Sequence, residues 1–229
     1  MTKPIKPVAL IVAMPLEFDA VCAMMQDVRI TKRWDLKIAE GTVDSRPVAM
    51  TLAGVGKANA AYAAGVLIAA FCPELVINTG IAGGLGVTDK LDVVVATGVV
   101  QHDMDTSALG DPVGWISGVD RILIETDPER SATLAEAIGA KRGIVASGDV
   151  FVASDLTAQT IVDRFGAVAC DMECAAVGLA AYRAQIPFVT VKVISDDGKD
   201  GSELTFEQFA AIAAERNAAA FRTIVKYLV

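Results

Sequence analysis

Two carboxylates, Asp171 and Glu173, stand in the stretch AVACDMECAAVG (167–178), which is otherwise almost wholly apolar or small. Acids in such surroundings lose hydration, so they either satisfy a neighbouring backbone or do acid, base or electrostatic work. Glu17, after the apolar run VALIVAMP, and Asp196, after FVTVKVIS, are placed the same way. Each acid falls where an apolar strand ends. Asp171 is also placed to cap the helix that follows it, whereas Glu173 is a poorer cap.

Other chemistries find less support. The single histidine, His102 in VVQHDMDTSALGD, has no Ser or Cys in a nucleophile-elbow setting, so a hydrolytic triad is not indicated and the ring reads as structural. TLAGVGKANA (51–60) fails as a phosphate-binding loop, because Thr51 stands five residues before Gly56 and Lys57 is followed by Ala58. NTGIAGGLG (78–86) has glycines at 80, 83, 84 and 86, which is not the dinucleotide fingerprint. What survives is a turn at a strand end whose bare backbone lets a small ligand approach closely. Cys22, Cys72, Cys170 and Cys174 show no CxxC spacing and accompany one histidine, so neither a metal site nor a disulfide framework is expected. They read as free thiols in a reducing cytoplasm.

The elements that must hold these acids follow from the hydrophobic pattern. Of 229 residues, 53% are hydrophobic and 21% charged, which points to a largely buried sheet. A net charge of -8 with no dense Lys/Arg cluster argues against nucleic-acid or anionic-membrane partners. The longest uncharged apolar stretch, AAYAAGVLIAAFC (60–72), is shorter than a bilayer span. The N-terminus imitates a secretion signal, but Glu17 and Asp19 fall between its apolar run and any cleavage point. Strands are expected over 8–14, 74–80, 91–102, 142–151 and 187–195, with a hairpin over 36–54 turning near Asp44 and Ser45. Helices are expected over 58–71, 128–139, 171–184 and 205–228. No linker or repeat divides 1–229, so the expectation is one α/β domain with a mostly parallel or mixed sheet and helices on both faces.

AMPLEF, AGVGKANA, INTGIAGGL, QHDMDTSALG, SGDVF, CDMECAAVG and VISD occur in the order and with nearly the spacing of the 5'-methylthioadenosine/S-adenosylhomocysteine nucleosidases, within the nucleoside phosphorylase/hydrolase superfamily. The resemblance runs from Val8 to the C-terminal helix. It implies a three-layer α/β/α fold with a central mixed β-sheet, a homodimer, no metal and no cofactor. It also implies a small nucleoside substrate whose N-glycosidic bond is cleaved by water to release adenine. On this resemblance Asp196 is the acid, Glu17 the water-activating base, and Met172 with Glu173 the ribose-binding pair. Phe151 matches the aromatic that stacks on adenine, and Val152 the residue whose backbone meets the base edge. Ser195 joins the substrate-binding set, and Asp171 supports the site from behind. The relatives within reach of the same pattern are other purine nucleosidases, such as futalosine hydrolases, and nucleoside phosphorylases.

Two departures stand out. Ile81 replaces the serine of TGSAGG found in many relatives, and Lys192 stands where arginine is common, both at substrate-binding positions that the resemblance places against the water or the ribose, so a hydroxyl is lost and a planar fork becomes a point charge. The 5' pocket implied by the resemblance takes Met14, Val55 and Phe206 from one chain. From the partner subunit it takes the loop TSALGDPVGWISG (106–118), where Thr106, Leu109, Asp111 and Ser117 make a more polar lining than is usual.

Overall fold

Valine, isoleucine, leucine and alanine dominate the runs that build the middle of the sheet: β1 (Val8–Val12), β5 (Leu75–Gly84), β6 (Val93–Gln101), β8 (Lys141–Ser147), β9 (Ala167–Asp171) and β10 (Phe188–Asp196). A strand covered on both faces has no polar face to present, so it reads as a continuous apolar run. The structure, a computed structural model, describes residues 5–196 and 206–228; for Asp196, 206–211 and Leu228 the description is of the backbone alone.

The strands form one mixed sheet in the order β10, β6, β8, β9, β5, β1, β4 (Arg46–Leu52), β3 (Leu36–Val43), β2 (Gln26–Arg33), with the short β7 (Ile124–Glu125) against β6. Because β10 also pairs with β5, the strands β5, β10, β6, β8 and β9 close on themselves, and β1, β4, β3 and β2 continue outward from β5. β1 runs parallel to β4 and β5, and β10 runs parallel to β5. The carboxyl ends of these strands therefore gather on one side, where α/β sheets place their sites.

Helices cover both faces. One core cluster joins the sheet to α2 (Lys57–Phe71) through Ala60, Ala63, Ala64 and Leu67, and to α5 (Cys174–Arg183) through Ala175, Ala176 and Val177. The alanines let helix and sheet backbones approach closely. On the other face, Phe18 and Val21 of α1 (Pro15–Cys22), Leu134 of α3 (Pro128–Ile138) and Phe221 and Ile224 of α6 (Phe206–Leu228) form a second cluster. A smaller cluster seats α4 (Asp155–Phe165) through Ile161. The expected three-layer arrangement with a mixed sheet is present. No helix among the described residues is long and apolar enough to cross a membrane.

The expected hairpin turns at Asp44 and Ser45, both left-handed (φ 47 and 68), which is the two-residue geometry that matches strand twist. Some boundaries differ. The strand expected over 142–151 stops at Ser147, freeing 148–152 as a loop, and the helix expected from 171 begins at Cys174 because Asp171 ends β9. β5 continues past Gly80 to Gly84. The elements α1, α4 and β2 had no strong pattern; β2 is an edge strand, exposed along almost all of QDVRITKR.

Candidate active site

The carboxyl ends of β1, β5, β9 and β10, with the loop after β8, surround a cavity of about 180 Å³. Ten of the residues singled out above line it, Glu17, Asp171, Glu173, Met14, Val55, Ile81, Phe151, Val152, Met172 and Ser195, together with Gly80 and Gly83 of the strand-end turn. Sequence reasoning gives no site role to Ala13, Thr79, Ala82, Val150 or Cys170, which also form its wall. Their only signal is adjacency to a residue that was named, since small and apolar types carry no chemical mark.

Glu17 lies in the first turn of α1, with only 2% of its surface exposed. Its carboxylate accepts the N–H groups of Ala13 and Met14 (both 3.0 Å) and of Ile81 (3.2 Å). It therefore ties the end of β1 to β5. Burial raises its pKa, while the Met14 amide, the Lys192 charge and the other two amides oppose the rise. A Cβ at Gly80 would stand 3.0 Å from Glu17 Oε1 and 3.4 Å from Lys192 Nζ, so the backbone of β5 passes close to both groups.

Glu173 and Asp171 divide the work at the start of α5. Asp171 accepts the Cys174 N–H at 2.9 Å, and Ser147, whose hydroxyl donates to Asp171, accepts the Ala175 N–H at 2.9 Å. These bonds satisfy orphan amides of the helix. Glu173 is the N-cap residue yet makes no side-chain cap bond, and its carboxylate instead accepts the Gly56 N–H at 3.0 Å. It is left at the cavity wall. Burial and then the Asp171 charge push its pKa up to about 7, against the Lys192 charge and the Gly56 amide.

Lys192, expected among the substrate-binding residues, does not reach the cavity wall. Its ammonium is buried and paired with Asp171 Oδ2 at 2.7 Å. Burial disfavours its charge, but Asp171 outweighs that cost and keeps it protonated, while the same pair holds the Asp171 carboxyl below its usual range against burial. Asp171 is thus the counter-ion of Lys192 as well as the cap. The His102 ring fills the space that a side chain at Gly148 would take, and burial holds its pKa down.

Ser195 is buried, with its hydroxyl donating to the Ala82 carbonyl at 3.3 Å. Asp196 ends β10 opposite Gly83 of β5, which brings its backbone to the same rim. The side chains of Asp196 and Phe206 lie outside the described residues. Thr106, Leu109, Asp111 and Ser117 are not on the cavity wall of their own chain. Thr106 donates to Asp111 Oδ2 at 2.8 Å, and Leu109 projects with 83% of its surface exposed.

Comparison with known proteins agrees with this geometry. The family model described as the Phosphorylase superfamily matches residues 7–226. A 5'-methylthioadenosine/S-adenosylhomocysteine nucleosidase of Haemophilus ducreyi is 33% identical over 216 residues, 92% of this chain and 93% of the relative. The structure of a nucleosidase of that name from Neisseria meningitidis, in complex with methylthio-immucillin-A, superposes with a TM-score of 0.91 at 32% identity, covering 97% of this chain and 100% of the other. Futalosine hydrolase of Helicobacter pylori superposes at 0.90 with 27% identity, covering 98% and 99%. The family match spans nearly the whole chain and the nucleosidase relative shares a third of its residues, so this chain belongs to the 5'-methylthioadenosine/S-adenosylhomocysteine nucleosidase family of the phosphorylase superfamily.

Proposed function

We propose that the protein hydrolyses the N-glycosidic bond of 5'-methylthioadenosine and S-adenosylhomocysteine, releasing adenine and the 5-thio-substituted ribose. The observation that carries this reading is the pair of buried carboxylates, Glu17 and Glu173, on the wall of one largely apolar cavity at the strand ends. Breaking such a bond needs a protonated leaving group, a stabilised cationic sugar and an oriented water. Acids serve all three needs.

Glu17, fixed by three backbone amides, is the group that orients and activates water. Glu173 as an anion accepts ribose hydroxyls and offsets the charge that grows on the sugar. Asp196 donates the proton to the purine. Phe151 and Val152 hold the base, Met172, Ser195 and Ile81 face the sugar, and Met14, Val55 and Phe206 border the tail. Lys192 acts from behind, as the cation beside Glu17 and Glu173.

The site is completed by a second copy of the chain, with its 106–118 loop closing the tail pocket. Val55, Val150 and Phe151 at the cavity and Leu109 on the 106–118 loop are each more than half exposed in one chain, apolar surface that a homodimer buries. A cytoplasmic place in methionine salvage fits these products and the four unbridged cysteines. The test is chromatography of 5'-methylthioadenosine, S-adenosylhomocysteine and futalosine, each incubated with the protein. Adenine from the first two supports the reading; cleavage of futalosine alone replaces it with the hydrolase seen among the similar structures.

A further inference from the structure

Lys57 belongs to the glycine-rich stretch that fails as a phosphate loop, and the reaction above gives it no role. It is the first residue of α2. Its ammonium donates to Asp103 Oδ1 at 2.5 Å and to Gln101 Oε1 at 3.0 Å, and its backbone N–H donates to Asp149 Oδ1 at 2.7 Å. The Asp149 N–H donates in turn to Asp103 Oδ2 at 2.8 Å. This circuit joins three segments: the end of β6, the loop before α2 and the loop after β8. The side chains of Lys57 and Asp103 are 15% and 22% exposed, more sheltered than the freely solvated pairs that contribute little.

Both loops run from the circuit directly to the cavity. Gly56, next to Lys57, gives its N–H to Glu173, and Val150, next to Asp149, lines the wall with Phe151. Gly56 is left-handed at φ 102, and a Cβ there would sit 3.1 Å from Asp149 Oδ1. The direction of its amide is therefore tied to the two anchored neighbours, Lys57 and Asp149.

We propose that Lys57 and Asp103 are positioning residues: their ion pair holds the Gly56 N–H on the Glu173 carboxylate and the Val150–Phe151 segment at the cavity wall. This rests on the reading of Glu173 as the anion that faces the sugar. The charged and titratable groups around Glu173 are Asp171, Lys192, Glu17 and the Cys174 thiol, which burial pushes up so that it stays neutral. Burial holds down the pKa of His102, which also feels the charges of Asp103, Lys57 and Asp171. Of these surroundings only Lys192 and the Gly56 amide favour the anion. Releasing the clamp removes the amide and should raise the pH at which Glu173 ionises.

The sign separates a clamp from a simple field. Lys57→Met deletes a positive charge and Asp103→Asn a negative one, so a through-space effect moves Glu173 in opposite directions and cancels in the double variant. Loss of the clamp moves it upward in all three.

The experiment is a carbon-13 carboxyl titration of Glu173, its signal identified with Glu173→Gln, in the wild type, both single variants and the double variant. Melting curves and adenine release are recorded alongside. The clamp predicts a rise of about one pH unit in every variant, the scale of one lost charge-assisted hydrogen bond, with the double variant no higher than the singles. The acid limb of kcat/KM should move with it. Opposite shifts in the two singles, or no shift in any, overturns the proposal whatever the melting curves do. Absence of adenine release from the wild type would overturn the nucleosidase reading instead, and the titration would still decide on the clamp.

Discussion

Glu173 titrates near neutrality because burial and the Asp171 charge outweigh Lys192 and the Gly56 amide. Between the ordinary value of 4.5 and about 7, the folded chain keeps a proton that the unfolded chain has lost. Stability therefore falls as pH rises through that window, and the loss is complete above it. A neutral amide carries no such penalty. Glu173→Gln should lower kcat by about a hundredfold, yet be more stable than wild type by about 1–3 kcal/mol at about pH 8 and no different at about pH 4. Denaturant unfolding at the two pH values checks this, and a difference that ignores pH contradicts it. Asp171 behaves in the opposite way. Asp171→Asn leaves the Lys192 ammonium buried without its counter-ion, which should cost about 3 kcal/mol or more in stability. The kcat of its folded fraction should fall far less than that of Glu173→Gln, as unfolding curves and active-site-normalised turnover will show.

β5 carries more of the site than any other element, since Thr79, Gly80, Ile81, Ala82 and Gly83 all border the cavity. Gly80→Ala would press on Glu17 and Lys192. A displacement of a few tenths of an ångström in a catalytic carboxylate should cost about tenfold or more in kcat, with melting changed by only a few degrees; unaltered turnover would mean that Glu17 need not be held this closely. Ile81 lines the cavity and also packs on Val193 and Ala213. Ile81→Ser should shift kcat or KM by about 0.5–1.5 kcal/mol, the scale of one neutral hydrogen bond, while losing packing stability. No change in either constant would place the side chain's role in packing alone. Strand-end acids were legible because apolar runs mark the buried strands and a carboxylate after such a run is conspicuous. Lys192 was legible as a departure but not as a buried ion, because its partner Asp171 is distant in sequence and only the pairing of β5 with both β9 and β10 brings them together. The same holds for the circuit of Lys57, Asp103 and Asp149, whose members lie on three separate segments, the start of α2, the end of β6 and the loop after β8. The closure of β10 on β5 was hidden too, since periodicity reports which strands are buried and not which neighbours they take.

For the whole molecule, the exposed apolar side chains of Val55, Val150 and Phe151 at the cavity and of Leu109 on the 106–118 loop argue for a pair of chains. Sedimentation should give twice the chain mass. Leu109→Arg should shift it toward one chain and weaken 5'-methylthioadenosine binding with it; a monomeric wild type with full activity would show that each site is complete alone. In such a pair the bonded Thr106 and Asp111 would border the tail pocket, a less apolar lining that should narrow the preference for the methylthio tail over the homocysteine tail. Asp111→Tyr should widen it, as the ratio of kcat/KM for the two substrates will report; an unmoved ratio places Asp111 on the outer surface. The central claim is that water, oriented by Glu17, is the nucleophile. Its most direct test is to incubate the protein with 5'-methylthioadenosine in phosphate-free buffer and identify both products. The account predicts adenine and free 5-methylthioribose at a rate that added phosphate does not change. A strict phosphate requirement, with 5-methylthioribose 1-phosphate as the sugar product, would contradict it.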